Sequence, residues 1–468
     1  MAPIASFSPG RFEFDRELIE RLDGAGPRYT SYPTADRFTG EFGESDYRRW
    51  LARRKIGAAN KPLSLYVHLP FCDTICYYCA CNKIITKDRQ RADQYLDYLE
   101  REARLVSATL GGYERVLQLH FGGGTPTFLS DAQLSRLMKM LREHFHFSPD
   151  GEYSIEIDPR RVHADTIQLL GELGFNRISL GVQDFDPAVQ RAVNRIQSEE
   201  ETRLVIEVAR AAGFKSVSID LIYGLPLQSE ASVARTVDTV LGLTPDRIAL
   251  YNYAHLPQRF KPQRRINADE LPAPAVKLDI LQHSVHQIAE AGYLFIGMDH
   301  FAKPQDELSH ALLQGRLQRN FQGYSTYADC DLVALGVSAI GKVGPCYSQN
   351  ERDLPSYMAA LDDGRLPVMR GLLLSPDDIL RRSIIQALMC NFSLSVSAIE
   401  ETHGILFADY FGAELKDIDT YEKMGLLSFD GDFLMVEARG RFLIRNIAMI
   451  FDRHLRERRN EGRYSRTI

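Results

Sequence analysis

A single tryptophan, Trp50, and seven cysteines stand in a chain of 468 residues. No apolar run approaches the ~18 residues that a membrane-spanning helix needs, which excludes membrane insertion by a helix. The opening stretch, "MAPIASFSPGRFEFDRELIE", has no basic region followed by an apolar core, so a secretory signal is not expected. Positive charge is not in excess: 56 Lys and Arg face 62 Asp and Glu, for a net charge of −6. No global field therefore draws the chain to nucleic acid. The basic tail "RHLRERRNEGRYSR" reads as a charged helix end in solvent. An odd number of unevenly placed cysteines excludes a disulfide framework and points to a reducing, cytoplasmic compartment.

An alternation of strand and helix signals is present instead. Residues 1–60 form a leader containing "GPRYTSYPTAD", polar, aromatic and too irregular for a helix or strand. From residue 62 the strand signals "PLSLYVHLPF", "RVLQLHF", "EYSIEID", "NRISLGV", "SVSIDLIYG" and "DRIALYNY" alternate with helical stretches, and "YLFIGMDHF" follows a long Pro- and Arg-rich connection. In "RADQYLDYLEREARLVSATL", Leu96, Leu99 and Leu105 fall near one helical face and Gly111–Gly112 ends it; Ser130 is an N-cap for "SDAQLSRLMKMLREHF". Six or seven such units in series predict an α/β fold with a parallel sheet, a partial or open TIM-like barrel, with an open doubly wound sheet as the alternative. The expected division is an N-terminal extension (1–60), a barrel domain (61–371) and a mainly helical, winged-helix-like C-terminal domain (372–468) with a hairpin at Asp430–Gly431.

Barrel active sites collect at the C-terminal ends of strands. Those ends carry the cysteine loop, "FGGGTPT", "EIDPR", "GVQD", "DLIYG" and "YNYAH", so the unusual residue groups share one rim. In "FCDTICYYCACNK" four cysteines, Cys72, Cys76, Cys79 and Cys81, lie together; Cys330, Cys346 and Cys390 are isolated and read as small buried apolar residues. Zinc and an iron–sulfur cluster both suit such a loop. Structural zinc usually takes two cysteine pairs from separate segments, and no second pair exists downstream. Three thiolates on a 4Fe-4S cluster would leave one iron open for a small molecule. A zinc-stabilised winged-helix protein binding nucleic acid remains the alternative from a different class.

The C-x3-C-x2-C spacing after a first strand resembles the radical SAM enzymes. The string "YVHLPFCDTICYYCACNK" resembles one group of them, the oxygen-independent coproporphyrinogen III oxidases, also called coproporphyrinogen dehydrogenases. The resemblance extends through "GPRYTSYPTA", "LHFGGGTPTFL", "SIEIDPR", "GVQDFDPAVQRAVNR", "SIDLIYGLP", "YNYAHLP", "FIGMDHFA", "NFQGYST" and "GRFLIRNIAMIFD". The related haem chaperones are the same-motif alternative; they lack the leader segment and the fourth cysteine and carry a His-Asn-x-x-Tyr-Trp element that is missing here.

The resemblance implies that Cys72, Cys76 and Cys79 hold a 4Fe-4S cluster and that S-adenosylmethionine (SAM) binds the open iron and is split to a 5′-deoxyadenosyl radical. Cys81 would lie in the surroundings of the cluster or near the substrate, not on an iron. Gly123, Gly124 and Thr125, with Gly122, would face the methionine end of SAM. Glu156, Gln183, Arg195 and Asp220 are implied as polar contacts, and Tyr66, Tyr78, Ala254 and Ile340 as further ones, to one SAM or two. The implied reaction converts two propionates of coproporphyrinogen III to vinyls with loss of two CO2, giving protoporphyrinogen IX for haem synthesis. A reduced flavodoxin or ferredoxin would supply the electron, and the enzyme would act as a cytoplasmic monomer. Arg28, Tyr29, Tyr32, His300 and Gln322 are candidates for binding the tetrapyrrole. Residues 27–35 either fold over the barrel mouth as a lid or pack against its wall.

Overall fold

The computed structural model describes residues 11–54, 61–112, 114–327 and 330–457. The residues on which the absence of a signal segment was read begin before this range, and most of the basic tail lies beyond it. Six strands run parallel in sequence order: β1 (Leu63–Leu69), β2 (Arg115–Gly123), β3 (His146–Ile157), β4 (Arg177–Gln183), β5 (Ser216–Tyr223) and β6 (Arg247–Asn252). Helices at Gln90–Leu110, Asp131–His144, Ala164–Glu172, Glu199–Ala211 and Glu230–Gly242 return the chain between them. The Ser130 cap forms: its hydroxyl accepts from Gln133 N–H at 3.3 Å and Gln133 Oε1 accepts from Ser130 N–H at 2.9 Å. The first long helix stops at Gly111, whose φ of 73° suits glycine.

"YLFIGMDHF" is not a seventh parallel strand. It splits into β7 (Leu294–Gly297) and β8 (His300–Ala302), which pair antiparallel, with the reversal at Gly297 (φ 142°) and Met298 (φ 54°). A small hairpin follows, β9 (Gln318–Asn320) with β10 (Gly323–Ser325). Four strands that the alternation did not anticipate then extend the other edge: β11 (Asp331–Leu335), parallel to β1, and the antiparallel β12 (Ile340–Val343), β13 (Cys346–Asn350) and β14 (Val368–Leu373). The 12-stranded sheet has the order β14-β13-β12-β11-β1-β2-β3-β4-β5-β6-β8-β7, an open barrel.

Alternation within the strands explains its unusual interior. On β4, Ile178, Leu180 and Val182 are buried, while Ser179, Gly181 and Gln183 line cavities on the concave face. Ser154 and Glu156 on β3, and Ser218 and Asp220 on β5, do the same. A closed barrel fills its interior with branched apolar side chains; here that face is polar and leaves space.

The C-terminal part combines helices Pro376–Asn391, Val396–His403 and Glu414–Lys423 with a three-stranded sheet of Ser393–Ser395, Phe433–Val436 and Leu427–Phe429. It packs on the barrel's antiparallel flank: Phe442 meets Phe295 with ring centroids 4.7 Å apart, and Tyr324 Oη donates to Met389 O at 3.0 Å. Among the described residues no helix is long and apolar enough to cross a membrane.

One polar cluster fixes the seam between the first helix and the added strands. Glu102, 2% exposed, accepts from Gly336 N–H at 2.7 Å, Asn350 Nδ2 at 2.6 Å and Tyr357 Oη at 2.6 Å. Burial pushes its carboxyl up to about 7 against these three donors. Glu102→Leu strands the Gly336 N–H and Tyr357 hydroxyl and leaves Asn350 Nδ2 with only Gly336 O at 2.9 Å, so a loss of roughly 3–5 kcal/mol is expected in urea unfolding; a loss under 1 kcal/mol would show that they find other partners.

Candidate active site

Strand β1 delivers the cysteine loop to the rim, with Leu69 opposite Gly123. Phe71–Cys72 pairs with Ile84–Ile85, which closes the loop at its base. Gly124 N–H donates to Leu69 O and Thr125 N–H to Phe71 O, both at 2.8 Å. A Cβ on Gly124 would stand 2.6 Å from Phe71 O and 2.7 Å from Pro70 C, so only glycine lets the two segments lie this close. The loop is tied down elsewhere. Asn194 Nδ2 donates to Ile75 O at 2.7 Å, Gln263 Nε2 to Tyr78 O at 3.0 Å and Asn82 Nδ2 to Arg352 O at 3.0 Å.

Each thiol has a distinct surrounding. Cys72 receives Thr125 Oγ1 at 3.5 Å, and burial pushes its thiol up to about 12. Cys76 receives Arg195 Nη1 at 3.6 Å and Arg160 Nη2 at 3.8 Å. Cys79 is pulled down to about 6 by a hydrogen bond from the Cys81 thiol, helped by the Lys83 ammonium. Lys83 Nζ also donates to the carbonyls of Cys79 at 3.0 Å and Cys81 at 3.3 Å.

These cysteines line a cavity of about 310 Å³ together with Gly123, Gly124, Thr125, Arg160, Gln183, Arg195, Glu156 and Asp220. Glu156 Oε2 accepts from Gly123 N–H at 3.2 Å and Oε1 lies 3.4 Å from His120 Nε2. Enclosure by protein opposes its charge, but His120 and the Gly123 amide outweigh that and hold it below the usual carboxylate range. Asp220 lacks such help: burial and the Glu156 charge push it up to about 7, although Ser179 Oγ donates to it at 3.1 Å. Arg195 is held charged despite burial by the Asp158 carboxylate at 3.3 Å; it also bonds Gly181 O, and its Nε is left without a partner.

Of the other residues singled out in the sequence, Tyr78 lines this cavity, whereas Ala254 and Ile340 line neither it nor a second chamber inside the barrel that shares Glu156, Ser179, Asp220 and Tyr251 with it. Ala254 O accepts from Gln263 Nε2 at 3.2 Å, and Ile340 packs beside Phe38, Tyr347 and Leu374. Tyr66 stacks on His120 at 5.9 Å and donates to His68 Nδ1 at 2.9 Å. His300 and Gln322 line the chamber. The leader divides. Arg28 pairs with Asp299 and lies 5.7 Å over the Tyr251 ring, which forms part of the cavity wall. Tyr29 and Tyr32 do not face the cavity: both are buried against the C-terminal segment, where Tyr29 Oη donates to Asp452 at 2.9 Å and Tyr32 Oη accepts from Arg453 N–H at 3.2 Å. Their aromatic character serves packing. Sequence reasoning missed Arg160, Asp158, His68 and Lys83. The Arg160–Asp158 pair could have been found in "EIDPR", which sits at the same rim.

The donor set can be tested against the implied groups. Among the described residues no three Cys, His, Asp or Glu groups converge on a point that a single ion could occupy. A four-iron cluster takes each thiolate on a separate iron, and Cys72, Cys76 and Cys79 line one cavity. The unpartnered Arg195 Nε and the close approach at Gly124 suit an anionic, backbone-hugging ligand beside it.

Residues 66–240 match the model of the radical SAM superfamily, and residues 374–443 that of the HemN C-terminal domain. An oxygen-independent coproporphyrinogen III oxidase from Pseudomonas aeruginosa is 54% identical over 97% of this chain and 99% of that one; its counterpart from Escherichia coli is 49% identical over 98% and 99%. The solved E. coli structure, described as coproporphyrinogen III oxidase (HemN), a radical SAM enzyme, superposes with a TM-score of 0.90 over 95% of this chain and all of that one. The chain belongs to the oxygen-independent coproporphyrinogen III oxidase family. Members of this family are radical SAM enzymes, so the oxidase uses a 4Fe-4S cluster and SAM. The zinc-dependent and haem-chaperone alternatives fall away on full-length identity to oxidases.

A pH signature of the oxidase follows from Asp220. Its carboxyl keeps its proton to about 7 when folded but loses it near 4 when unfolded. The ligand-free protein therefore loses stability as pH rises from about 4 to 7, and the loss levels off above that. Glu102 titrates in the same window, so the difference between proteins isolates Asp220. Asp220→Asn is expected to flatten the fall in melting temperature between pH 5 and 7 and to melt above the parent at pH 8. Identical profiles would mean that Asp220 is already ionised at pH 5.

Proposed function

We propose that this chain converts the two reactive propionates of coproporphyrinogen III to vinyl groups, releasing two CO2 and giving protoporphyrinogen IX, with Cys72, Cys76 and Cys79 as cluster ligands. The observation that carries the reading is the shared cavity: the four cysteines of one short loop, Cys72, Cys76 and Cys79 among them, and the polar row Glu156, Ser179 and Asp220 face the same space. Cys72, Cys76 and Cys79 would hold a 4Fe-4S cluster with SAM beside it, and together these would supply a 5′-deoxyadenosyl radical for hydrogen-atom abstraction from a propionate.

The protein's residues prepare that event. Arg195 and Arg160, both at hydrogen-bonding distance from Cys76, lower the cost of concentrating thiolate charge at the loop. Gly123 and Gly124 let backbone approach the methionine end of SAM. Glu156, kept ionised, accepts hydrogen bonds from hydroxyl or ammonium groups, while Asp220 keeps a carboxyl proton near neutral pH and donates it in a hydrogen bond. Gln183 and Tyr78 complete the wall, and the tethered loop limits access of water. A reduced flavodoxin or ferredoxin supplies the electron, and the enzyme works as a monomer in the cytoplasm.

Anaerobic purification tests the reading. Brown protein containing iron and acid-labile sulfide is expected, and incubation with SAM, reductant and coproporphyrinogen III should yield the divinyl product. Colourless protein with stoichiometric zinc and no sulfide after reconstitution would refute it.

A further inference from the structure

The cysteine cavity continues inward. Glu156, Ser179, Asp220 and Tyr251 line both it and a chamber of about 160 Å³ inside the barrel. Ser64, Gln118, Asn320 and Ser325 are shared in turn by that chamber and a recess of about 60 Å³. Arg319 forms part of the recess wall. It stands on β9 opposite Tyr324, over whose ring its guanidinium lies at 4.7 Å.

Arg319 is only 6% exposed, and its Nε and Nη1 have no hydrogen-bond partner. Among the described residues no carboxylate forms an ion pair with it. Polar groups around it are also unsatisfied: Gln322 Nε2 and His300 Nδ1, both on the chamber side, are buried without partners. His300 cannot serve as an anion for the arginine, nor as a second cation. Burial and the Arg319 charge keep the ring neutral by driving its pKa down to about 3. A cation held out of water with no counter-charge is costly to a fold, and buried donors without acceptors add to that cost. Both costs vanish if an anion with two oxygens enters the recess, and the planar guanidinium fork matches a carboxylate.

We propose that Arg319 anchors a propionate carboxylate of the tetrapyrrole, reached through the chamber from the cysteine cavity, with Gln322 as an additional donor. The inference rests on the oxidase reading. The chamber is too small for a tetrapyrrole ring but wide enough for a carboxyethyl arm, so the ring stays on the cysteine side while one arm points inward. The shared chemistry is a carboxylate, and the methionine end of SAM is a second source of one; the polar path to Arg319, remote from the cysteine loop, favours the longer reach of a ring-borne arm.

Titration of iron-loaded protein with coproporphyrin III, the oxidised and unreactive tetra-acid, and separately with SAM, distinguishes the sources. Arg319→Gln is expected to weaken coproporphyrin III binding at least tenfold and to leave SAM affinity unchanged, with Arg319→Lys recovering part of the loss. The tetramethyl ester should bind wild type and Arg319→Gln equally. Equal coproporphyrin III affinity for wild type and Arg319→Gln overturns the proposal, as does a loss confined to SAM. Failure of the wild type itself to bind coproporphyrin III counts against the oxidase reading instead. If Arg319→Gln does not fold, Gln322→Leu provides the second arm: a severalfold weakening supports the recess and unchanged affinity overturns it. Arg319→Met should melt at or above the ligand-free parent, because it removes a cation kept for a ligand; a markedly lower melting temperature overturns that argument.

Discussion

Cys72→Ser, Cys76→Ser and Cys79→Ser are each expected to abolish iron and sulfide binding after anaerobic reconstitution, while Cys81→Ser retains both. The ligand in such a cluster is thiolate, and a neutral serine hydroxyl is a poor substitute. The three positions differ in how the thiolate is prepared. Cys79 is already acidic because Cys81 and Lys83 favour its charged form; Cys76 has two guanidinium groups; Cys72 is buried and loses its proton only when iron replaces it. Cys81 acts on Cys79 as a donor, and a serine hydroxyl can take over that hydrogen bond. Cys81→Ala cannot, so its cluster should form but show a more negative midpoint potential, since hydrogen bonds to ligand sulfur raise the potential. Iron and sulfide analysis with redox titration reads all five variants. Loss of the cluster in Cys81→Ser as complete as in the other three would contradict an open iron for SAM.

Deleting residues 1–35 is expected to unfold the protein or strip away its C-terminal part, rather than to spare the cluster and remove only turnover. Leu18, Ile19, Tyr29 and Tyr32 are all under 10% exposed and belong to the main hydrophobic core. Each buried side chain of this size stabilises by about 1.5–3 kcal/mol. The polar losses add to that. Arg445, 3% exposed, donates to the carbonyls of Gly26 and Pro27, and buried Asp452 accepts from Tyr29. Without the leader, a buried cation and a buried carboxylate lose partners together. The total reaches the roughly 5–15 kcal/mol margin of a typical fold. Gel filtration and circular dichroism check the outcome. A folded, monomeric truncation that binds the cluster and SAM and has lost only vinyl formation would restore the lid as the leader's main role. Within the leader, Arg28 lies over the ring of Tyr251, a residue of the cavity wall, and Thr30 lines the recess beside Arg319.

The six parallel strands were legible because both of their flanks follow simple rules: apolar residues toward the helices, turn chemistry at the ends. The antiparallel flanks were not. Leu294–Ala302 is apolar at both ends around Asp299 and His300, and the reversal depends on positive backbone angles at Gly297 and Met298, the second of which side chains other than glycine rarely take. β13 is buried along its whole length, so it has no alternation to read. The cysteine loop, the glycines and the carboxylates were legible as a shared rim once strand ends were located. Arg319 was not, because an arginine beside an aromatic residue resembles any surface pair until burial and the missing partners are seen.

The joining of the two ends has a consequence for biosynthesis. Tyr29 meets Asp452 across 423 positions of sequence, and Arg445 closes on Gly26 and Pro27. On the ribosome the leader emerges before the barrel, yet its partners lie more than 400 residues downstream. The parallel strands and the cysteine loop can assemble while the leader's apolar side chains still wait, so those residues stay exposed to misassociation until residues 445–452 have been made. Stalled or prematurely terminated chains should therefore carry a nearly complete metal-binding loop on an unsealed body, and chaperones that cover short aromatic segments are expected to act at residues 27–35 before any other part of the molecule.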